Sequence, residues 1–518
     1  MTEKGVIKNV VIVGGGTAGW LTASILAADH CAAHADGLNV TLIESARVPI
    51  LGVGEGTWPS LRDTLRRIGI SETDFFRKCQ ASFKQGSRFN GWRTGQPDDF
   101  YFHPFEAPPS AETADALSLW KQAPQGVSFA EAVNHQATVC LAGLAPKQAG
   151  TPEFAAVTNY AYHLDAPAFA EFLADHATNN LGVRHIIDDV TGYKQLDQGE
   201  IESVQTEQHG AITADLFVDC SGSRALLIGD ALGSPLTDVS DVLFNDRALA
   251  LHVPYSDDQS VIVSQTNGTA LEAGWVWDIG LQSRRGVGYV HSSRHIDEGA
   301  ARDALTGYLH QHDSTLTAEN ARLIKFRSAY RAQPWVKNVV AVGMSSGFVE
   351  PLEASAIVMI ELSATMISDT LPPHHAVMKQ AAAKFNNRFS YRWSRIIDFL
   401  KLHYVLSERH EPYWRDHRDP ETWTPRLRDL LEQWQYQPPS REDFTQSLEI
   451  FPAASYAYVM YGMGFKTHIA STRRRKNDGT MLRQLFDDVQ AKAARYSAGL
   501  PTNRELINHI VSHGLSRV

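Results

Sequence analysis

Val10-Val11-Ile12-Val13-Gly14-Gly15-Gly16-Thr17-Ala18-Gly19-Trp20 is the stretch whose reading decides the fold. Four apolar strand formers run into a glycine turn, and a helical pattern follows at once. Gly14, Gly16 and Gly19 stand at G-x-G-x-x-G spacing. In that arrangement the first glycine makes the tight turn and the second lets a pyrophosphate reach the backbone. The third lets the helix pack against the strand. Helix N–H groups from Thr17 and Ala18 onward then face an anion. Residues 40–44 read as a second strand that ends in an acid, Glu44, 25 residues beyond Gly19 where about 20 is usual. A loop over residues 31–37 accounts for the difference. The expected fold class is α/β with α+β elaboration, built on a Rossmann-like dinucleotide-binding sheet. Gly14, Gly16, Thr17, Ala18, Gly19 and Glu44 are its expected cofactor contacts.

The chain has 518 residues, of which 43% are hydrophobic and 20% charged, so sizeable cores can form. A net charge of -10 argues against nucleic acid or an anionic membrane as partner. Four widely spaced cysteines, Cys31, Cys79, Cys140 and Cys220, form no C-x-x-C and fit free thiols in a reducing cytoplasm. The polar start runs directly into the first strand, so no signal peptide is expected. No apolar run approaches 18 residues, so no membrane span is expected either. The adjacent His374 and His375, and the pair His310 and His312, have no H-E-x-x-H context, and no metal site is expected.

Working outward, residues 45–59 hold three closely spaced glycines and two prolines and read as a functional loop rather than a regular element. Residues 60–68 read as a helix. Lys84, in Ala81-Ser82-Phe83-Lys84-Gln85-Gly86, reads from composition alone as a surface lysine. Asp98-Asp99-Phe100-Tyr101-Phe102-His103-Pro104-Phe105 is dense in aromatics, a core cluster or a pocket wall, and residues 106–160 read as an irregular or helical insertion. Residues 183–190 read as one strand ending at Val190, and residues 200–207 and 211–218 as two more. Residues 248–253, 274–281 and 286–291 look antiparallel, with the last two paired around residues 282–285. There Trp275 and Trp277, two apart, share one face. Residues 376–435 and the tail are helical in character, and Arg473-Arg474-Arg475-Lys476 reads as a solvated loop.

Residues 339–343 form another buried strand that turns through Gly343-Met344-Ser345-Ser346-Gly347. This matches the G-x-S-x-G elbow of hydrolases, but no HGGG-type segment or placed histidine accompanies it. Residues 348–357 then open a helix that runs to about residue 369. Glu353 reads as a first-turn acid. The N–H groups of Ser355, Ala356 and Ile357 at that start lack intrahelical acceptors and favour an anion.

Taken together, Gly14-x-Gly16-x-x-Gly19, Leu51-Gly52-Val53-Gly54-Glu55, Phe83-Lys84, Trp275-x-Trp277-x-Ile279 and Gly347-Phe348-Val349-Glu350-Pro351-Leu352-Glu353 resemble the flavin-dependent halogenases of the tryptophan halogenase family. The resemblance implies halogenation of an electron-rich arene with chloride or bromide, dependent on FADH2 and O2. A flavin C4a-hydroperoxide would oxidise halide to hypohalous acid, which travels to a lysine. It implies Lys84 and Glu353 as catalytic residues, and Ser355 and Ala356 as halide contacts. It implies Val190, Gly343, Met344 and Ile357 as further FAD contacts. His103 and Phe105 would flank the substrate ring, and Trp275 and Trp277 would wall off the flavin side. A separate NAD(P)H-dependent flavin reductase is the implied partner, and the chain is expected as a monomer or homodimer.

Three departures bear on substrate. Gly280 stands where the family pattern W-x-W-x-I-P has proline. Glu353-Ala354-Ser355-Ala356 replaces Glu-Ser-Thr-Gly. The segment Ser455-Tyr456-Ala457-Tyr458-Val459-Met460-Tyr461 carries no clear clamp for an amino acid. Indole or an indole-bearing compound is therefore expected rather than free tryptophan. The alternatives are an FAD-dependent aromatic monooxygenase and a non-catalytic flavin-binding protein. Residues 1–370 are expected to form the catalytic core, and 371–518 a helical region completing the substrate site.

Overall fold

Asn9–Val13 is a strand and Thr17–Asp29 a helix, joined by the glycine turn. The computed structural model describes residues 5–49, 52, 54–110, 112–312, 314–446, 449–468 and 479–517. The first strand lies inside a six-stranded sheet in the order Trp335–Val336, Val339–Ala341, Leu216–Asp219, Asn9–Val13, Asn39–Glu44, Arg184–Ile187. Val11 pairs with Phe217 on one side and Thr41 on the other, and only Trp335–Val336 runs antiparallel to its neighbour. Val10, Val11, Ile12 and Val13 are all buried, as a parallel sheet covered on both faces requires. The Thr17–Asp29 helix packs against Ala166–Asn180 and Ser355–Asp369.

The chain separates into two compact units. The first comprises residues 1–81, 164–238 and 327–393, and the second 82–163, 239–326 and 394–518. These units follow packing and do not coincide with a division at residue 370. The first contains the parallel sheet. The second is organised on a seven-stranded sheet, Arg322–Lys325, Arg247–Pro254, Arg284–His291, Gly274–Gly280, Thr266–Leu271, Gly86–Asn90, Phe100–Pro104. Its strands are antiparallel except where Thr266–Leu271 pairs with Gly86–Asn90. The expected hairpin is present, with Gly280 opposite Arg285. Thr266–Leu271, with Thr and Asn near its start and a glycine at its centre, gives little strand signal and was not anticipated.

Two strand readings are corrected. Residues 183–190 are not one strand: Arg184–Ile187 ends at Asp188, whose carboxylate accepts N–H bonds from Asp189, Gln208 and His209, and Val190 opens a new strand, Val190–Gln195. Likewise 211–218 divides into Gly210–Thr213, in a three-stranded meander, and Leu216–Asp219, in the parallel sheet. The insertion at 106–160 holds three short helices, Thr113–Trp120, Phe129–Val133 and Gln136–Leu141. The C-terminal part is helical, including Ala453–Gly462 and Asn503–His513. The basic run at 473–476, and Leu51 and Val53 of the glycine-rich loop, lie outside the described residues. No helix among those described is long and apolar enough to cross a membrane.

Candidate active site

The glycine turn has the shape of a phosphate cradle. Gly14 has φ +118°, and a Cβ there would stand 2.2 Å from the Cys220 carbonyl oxygen. A Cβ on Gly19 would lie 1.8 Å from the Gly14 carbonyl oxygen, so the helix sits directly on the turn. A Cβ on Gly16 would meet nothing within 4 Å. That open space lies at the cap of the Thr17–Asp29 helix, which no side chain caps. Thr17 and Ala18 are partly exposed there, leaving free N–H groups at the positive end of the helix. Glu44 closes its strand beside this turn. Its side chain covers Gly15, where a Cβ would fall 2.2 Å from Glu44 Cδ, and Oε2 lies 3.0 Å from His185 Nε2. These features fit the pyrophosphate and ribose of a dinucleotide.

The Gly343 turn joins the same place. Gly343 has φ +70°, and its missing Cβ leaves room for Ala18, whose Cβ would otherwise be 2.8 Å away. Met344 beside it is exposed. The elbow serine has a structural use: buried Ser345 donates to Asp219 Oδ1 at 3.1 Å and to the Gly222 carbonyl at 3.0 Å. Asp219 also accepts from the Ser221 hydroxyl and the Leu227 and Ile228 N–H groups, and so fastens two turns after adjacent strands. Val190 opens a strand of the three-stranded meander, just after Asp188, whose N–H donates to the Glu44 carbonyl at 2.9 Å at the edge of the six-stranded sheet.

Glu353 is not in the first helical turn. The helix is Ser355–Asp369, and both residues before it are left-handed: Glu353 at φ 64°, ψ 11° and Ala354 at φ 54°, ψ 44°. The helix therefore starts later than its sequence implies, because this entry bends the chain. Ser355, Ala356 and Ile357 are its first three residues, so their N–H groups point out of its N-terminus. Ala356 is exposed, while Ser355 and Ile357 are buried. Alanine at 356 is compatible with this geometry, since the unusual backbone falls at 353 and 354.

Lys84 closes the short strand Ser82–Lys84, paired antiparallel to residues 161–163. Its side chain is 1% exposed, which overturns the surface reading. Nζ lies 5.4 Å from the centre of the Phe105 ring. Across the pairing stands His163, opposite Ser82. Burial, with the Lys84 charge adding to it, holds the His163 imidazole well below its usual pKa, hence neutral. The strand is fixed at its start and its middle. Ser82 donates to the Gly280 carbonyl, and Asn503 donates to the carbonyls of Phe83 and Val263. A Cβ on Gly280 would fall 2.9 Å from Ile262 and from the Tyr255 hydroxyl, so a larger residue would displace those side chains.

His103 and Phe105 lie in the same unit. His103 Nε2 is 3.0 Å from the Ser455 hydroxyl, and its ring packs 5.6 Å from Phe399 and 6.1 Å from Tyr458. Phe105 is half-buried, and its N–H donates to Gln85, next to Lys84. Trp275 and Trp277 share a face of the seven-stranded sheet. Trp275 is buried 6.2 Å from Trp92. Trp277 faces glycines on both neighbouring strands, Gly268 and Gly288. Its ring crosses Gly288, where a Cβ would come within 2.1 Å, and Phe89 fills the side of Gly268.

Sequence reasoning missed Asp219 and His163. Each acts through a partner far along the chain, and the aspartate at the end of a buried strand was the one local signal.

The profile of the tryptophan halogenase family matches residues 9–477. A tryptophan 6-halogenase from Streptomyces toxytricini is 33% identical over 477 residues, 88% of this chain and 89% of its own. The crystal structure of a tryptophan halogenase from Shewanella frigidimarina matches with a TM-score of 0.94 and 44% identity, covering 99% of each chain. A flavin-dependent halogenase from a Brevundimonas species matches with a TM-score of 0.84 and 29% identity, covering 97% of this chain and 99% of that one. With the dinucleotide cradle, the buried lysine and the paired tryptophans, these matches establish that the chain belongs to the tryptophan halogenase family and is a flavin-dependent halogenase.

Proposed function

We propose that this enzyme uses reduced FAD, O2 and chloride or bromide to halogenate indole or an indole-bearing compound rather than free tryptophan. A separate NAD(P)H-dependent flavin reductase supplies the reduced flavin. When bound, the flavin provides with O2 the oxidising power that turns halide into hypohalous acid. Gly14, Gly16, Gly19 and the Thr17 and Ala18 N–H groups hold its pyrophosphate, and Glu44 takes a ribose hydroxyl. Val190, Gly343, Met344 and Ile357 supply further contacts. The N–H groups of Ser355 and Ala356 hold the halide. Trp275 and Trp277 keep the arene from the flavin.

The buried amine of Lys84 carries this reading. An ammonium there donates a hydrogen bond to the oxygen of hypohalous acid and makes the halogen more electrophilic. The arene carbon bonds to halogen as the O–X bond breaks, and the ring proton and the departing hydroxide end as water. Glu353 orients the oxidant or accepts the ring proton as a general base. His103 and Phe105 hold the flat ring. The preference against free tryptophan rests on the helix Ala453–Gly462. The Tyr458 hydroxyl already donates to the Glu106 carbonyl and accepts from Asn134, and the Tyr461 hydroxyl is bonded to Thr467. Neither stands ready for a substrate carboxylate. Four free cysteines support a cytoplasmic location.

The test supplies the purified chain with reductase, NADH, FAD and both halides, and offers indole, tryptophan and larger indoles in parallel. Halogenated indoles with little halotryptophan are expected by mass spectrometry. Hydroxylated product without halogen overturns the reaction, and preferential halogenation of tryptophan overturns the substrate.

A further inference from the structure

One long-range hydrogen bond at the halide end has no part in the chemistry above. Trp58 lies between the short strand Gly54–Gly56 and the helix Ser60–Arg67. Its indole N–H donates to the main-chain carbonyl of Glu353 at 2.8 Å. Glu353 and Ala354 are both left-handed, a backbone state that a Cβ disfavours. Two such residues in succession persist where the surroundings over-determine them. A local bond contributes, from the Ala354 N–H to the Pro351 carbonyl at 2.9 Å. The Trp58 bond comes from nearly 300 residues away in sequence.

The same segment holds the helix a second time. The Thr64 hydroxyl donates to Glu361 Oε1 at 2.6 Å and the Ser60 hydroxyl to Oε2 at 3.2 Å. Glu361 is buried, nearly two turns along Ser355–Asp369. Residues 58–64 thus grip that helix at its left-handed entry and again further along. The second grip fixes where the helix lies. The first fixes the peptide planes immediately before its free N–H groups, and with them the direction of the Glu353 side chain.

We propose that Trp58 is a positioning residue for the halide site: its N–H locks the Glu353–Ala354 left-handed entry, which aims the Ser355 and Ala356 N–H groups and the Glu353 carboxylate. This rests on the assignment of halide to those N–H groups. Trp58 touches neither halide nor arene in this role; it acts through Glu353.

Trp58→Phe keeps an aromatic ring and removes the donor. The expected result is a rise in the halide KM of about fivefold, the size of one neutral hydrogen bond, with a smaller change in kcat. Amide hydrogen exchange in the peptide covering residues 350–358 accelerates by a similar factor, measured on the protein without substrate or halide. FAD affinity, read by fluorescence, stays as in the parent. Adding Ala354→Gly, which tolerates the left-handed state, reverses at least half of the rise in halide KM. Unchanged exchange at 350–358 together with an unchanged halide KM overturns the proposal. So does a parallel loss of apparent halide affinity, FAD affinity and melting temperature that Ala354→Gly fails to rescue, since that marks a packing role alone. If the parent enzyme forms no halogenated product, the functional reading fails by itself, and the exchange measurement still decides whether Trp58 locks the entry.

Discussion

An ammonium on a four-carbon stem is ordinarily a surface group, and Lys84 is 1% exposed. Its placement on a three-residue strand beside Phe105 and opposite residues 161–163 comes from pairings about 80 residues away, so composition alone could not reveal it. Lys84→Met keeps the length and removes the charge. We expect halogenation to fall at least 100-fold while flavin oxidation continues, because the amine acts after the oxidant forms; a parallel loss of flavin oxidation would count against that order. A second residue-scale prediction concerns the row Tyr101, Phe89, Gly268, Trp277, Gly288, Ala250, which crosses six strands in register and alternates bulky and small at its centre. Gly288→Ala puts a methyl 2.1 Å from the Trp277 ring. The ring must leave, at a cost of about 1–3 kcal/mol, visible as a lower denaturation midpoint and altered tryptophan fluorescence. The Trp-x-Trp spacing was legible as a shared face. The glycines that make room for Trp277 were not, since register is a property of three strands together.

At the scale of elements, the local signals were sound where an element's ends are set by its own residues. The glycine turn and its flanking strand and helix are of this kind, because a buried parallel strand and a glycine-bounded helix start are written in consecutive residues. The Ser355–Asp369 helix shows the limit. Its far end was legible, while its start was displaced by a left-handed pair held from Trp58. The same helix carries a pH response. Burial pushes the Glu361 carboxyl up to about 7 from 4.5, with Asp63 adding to it and the Thr64 and Ser60 hydroxyls opposing it. The folded state therefore binds more protons than the unfolded chain between those values. The stabilisation present below about pH 4.5 is lost as pH rises through 7, up to about 3 kcal/mol. Glu361→Gln removes this dependence. Between about pH 5 and pH 7 the difference in melting temperature moves in favour of the variant and then levels off, and a constant difference would refute the assignment.

At the scale of the molecule, each compact unit is assembled from three separate stretches of chain. In the second unit, residues beyond 393 complete contacts begun near residue 90. The Tyr101 hydroxyl is 2.6 Å from His403 Nδ1, the Ser407 hydroxyl donates to the Trp92 carbonyl, and Trp414 packs 5.4 Å from Trp92. A chain ending at residue 393 keeps every strand of both sheets, yet we expect it to be insoluble or to lack near-ultraviolet circular dichroism, because Trp92 and its neighbours lose their cover. A soluble, cooperatively melting fragment would contradict this. The class of the parallel sheet could be read from its first 44 residues. The order of its strands could not, since Val339–Ala341 pairs beside Leu216–Asp219 across a large insertion. That pairing bears on synthesis at the ribosome. From Asp219 to Val339 the chain grows by 120 residues, roughly 6 to 24 s at typical elongation rates. Throughout that interval a nascent, strongly apolar strand edge has no partner of its own chain. That exposed edge makes the yield of folded protein sensitive to chaperone supply and translation speed.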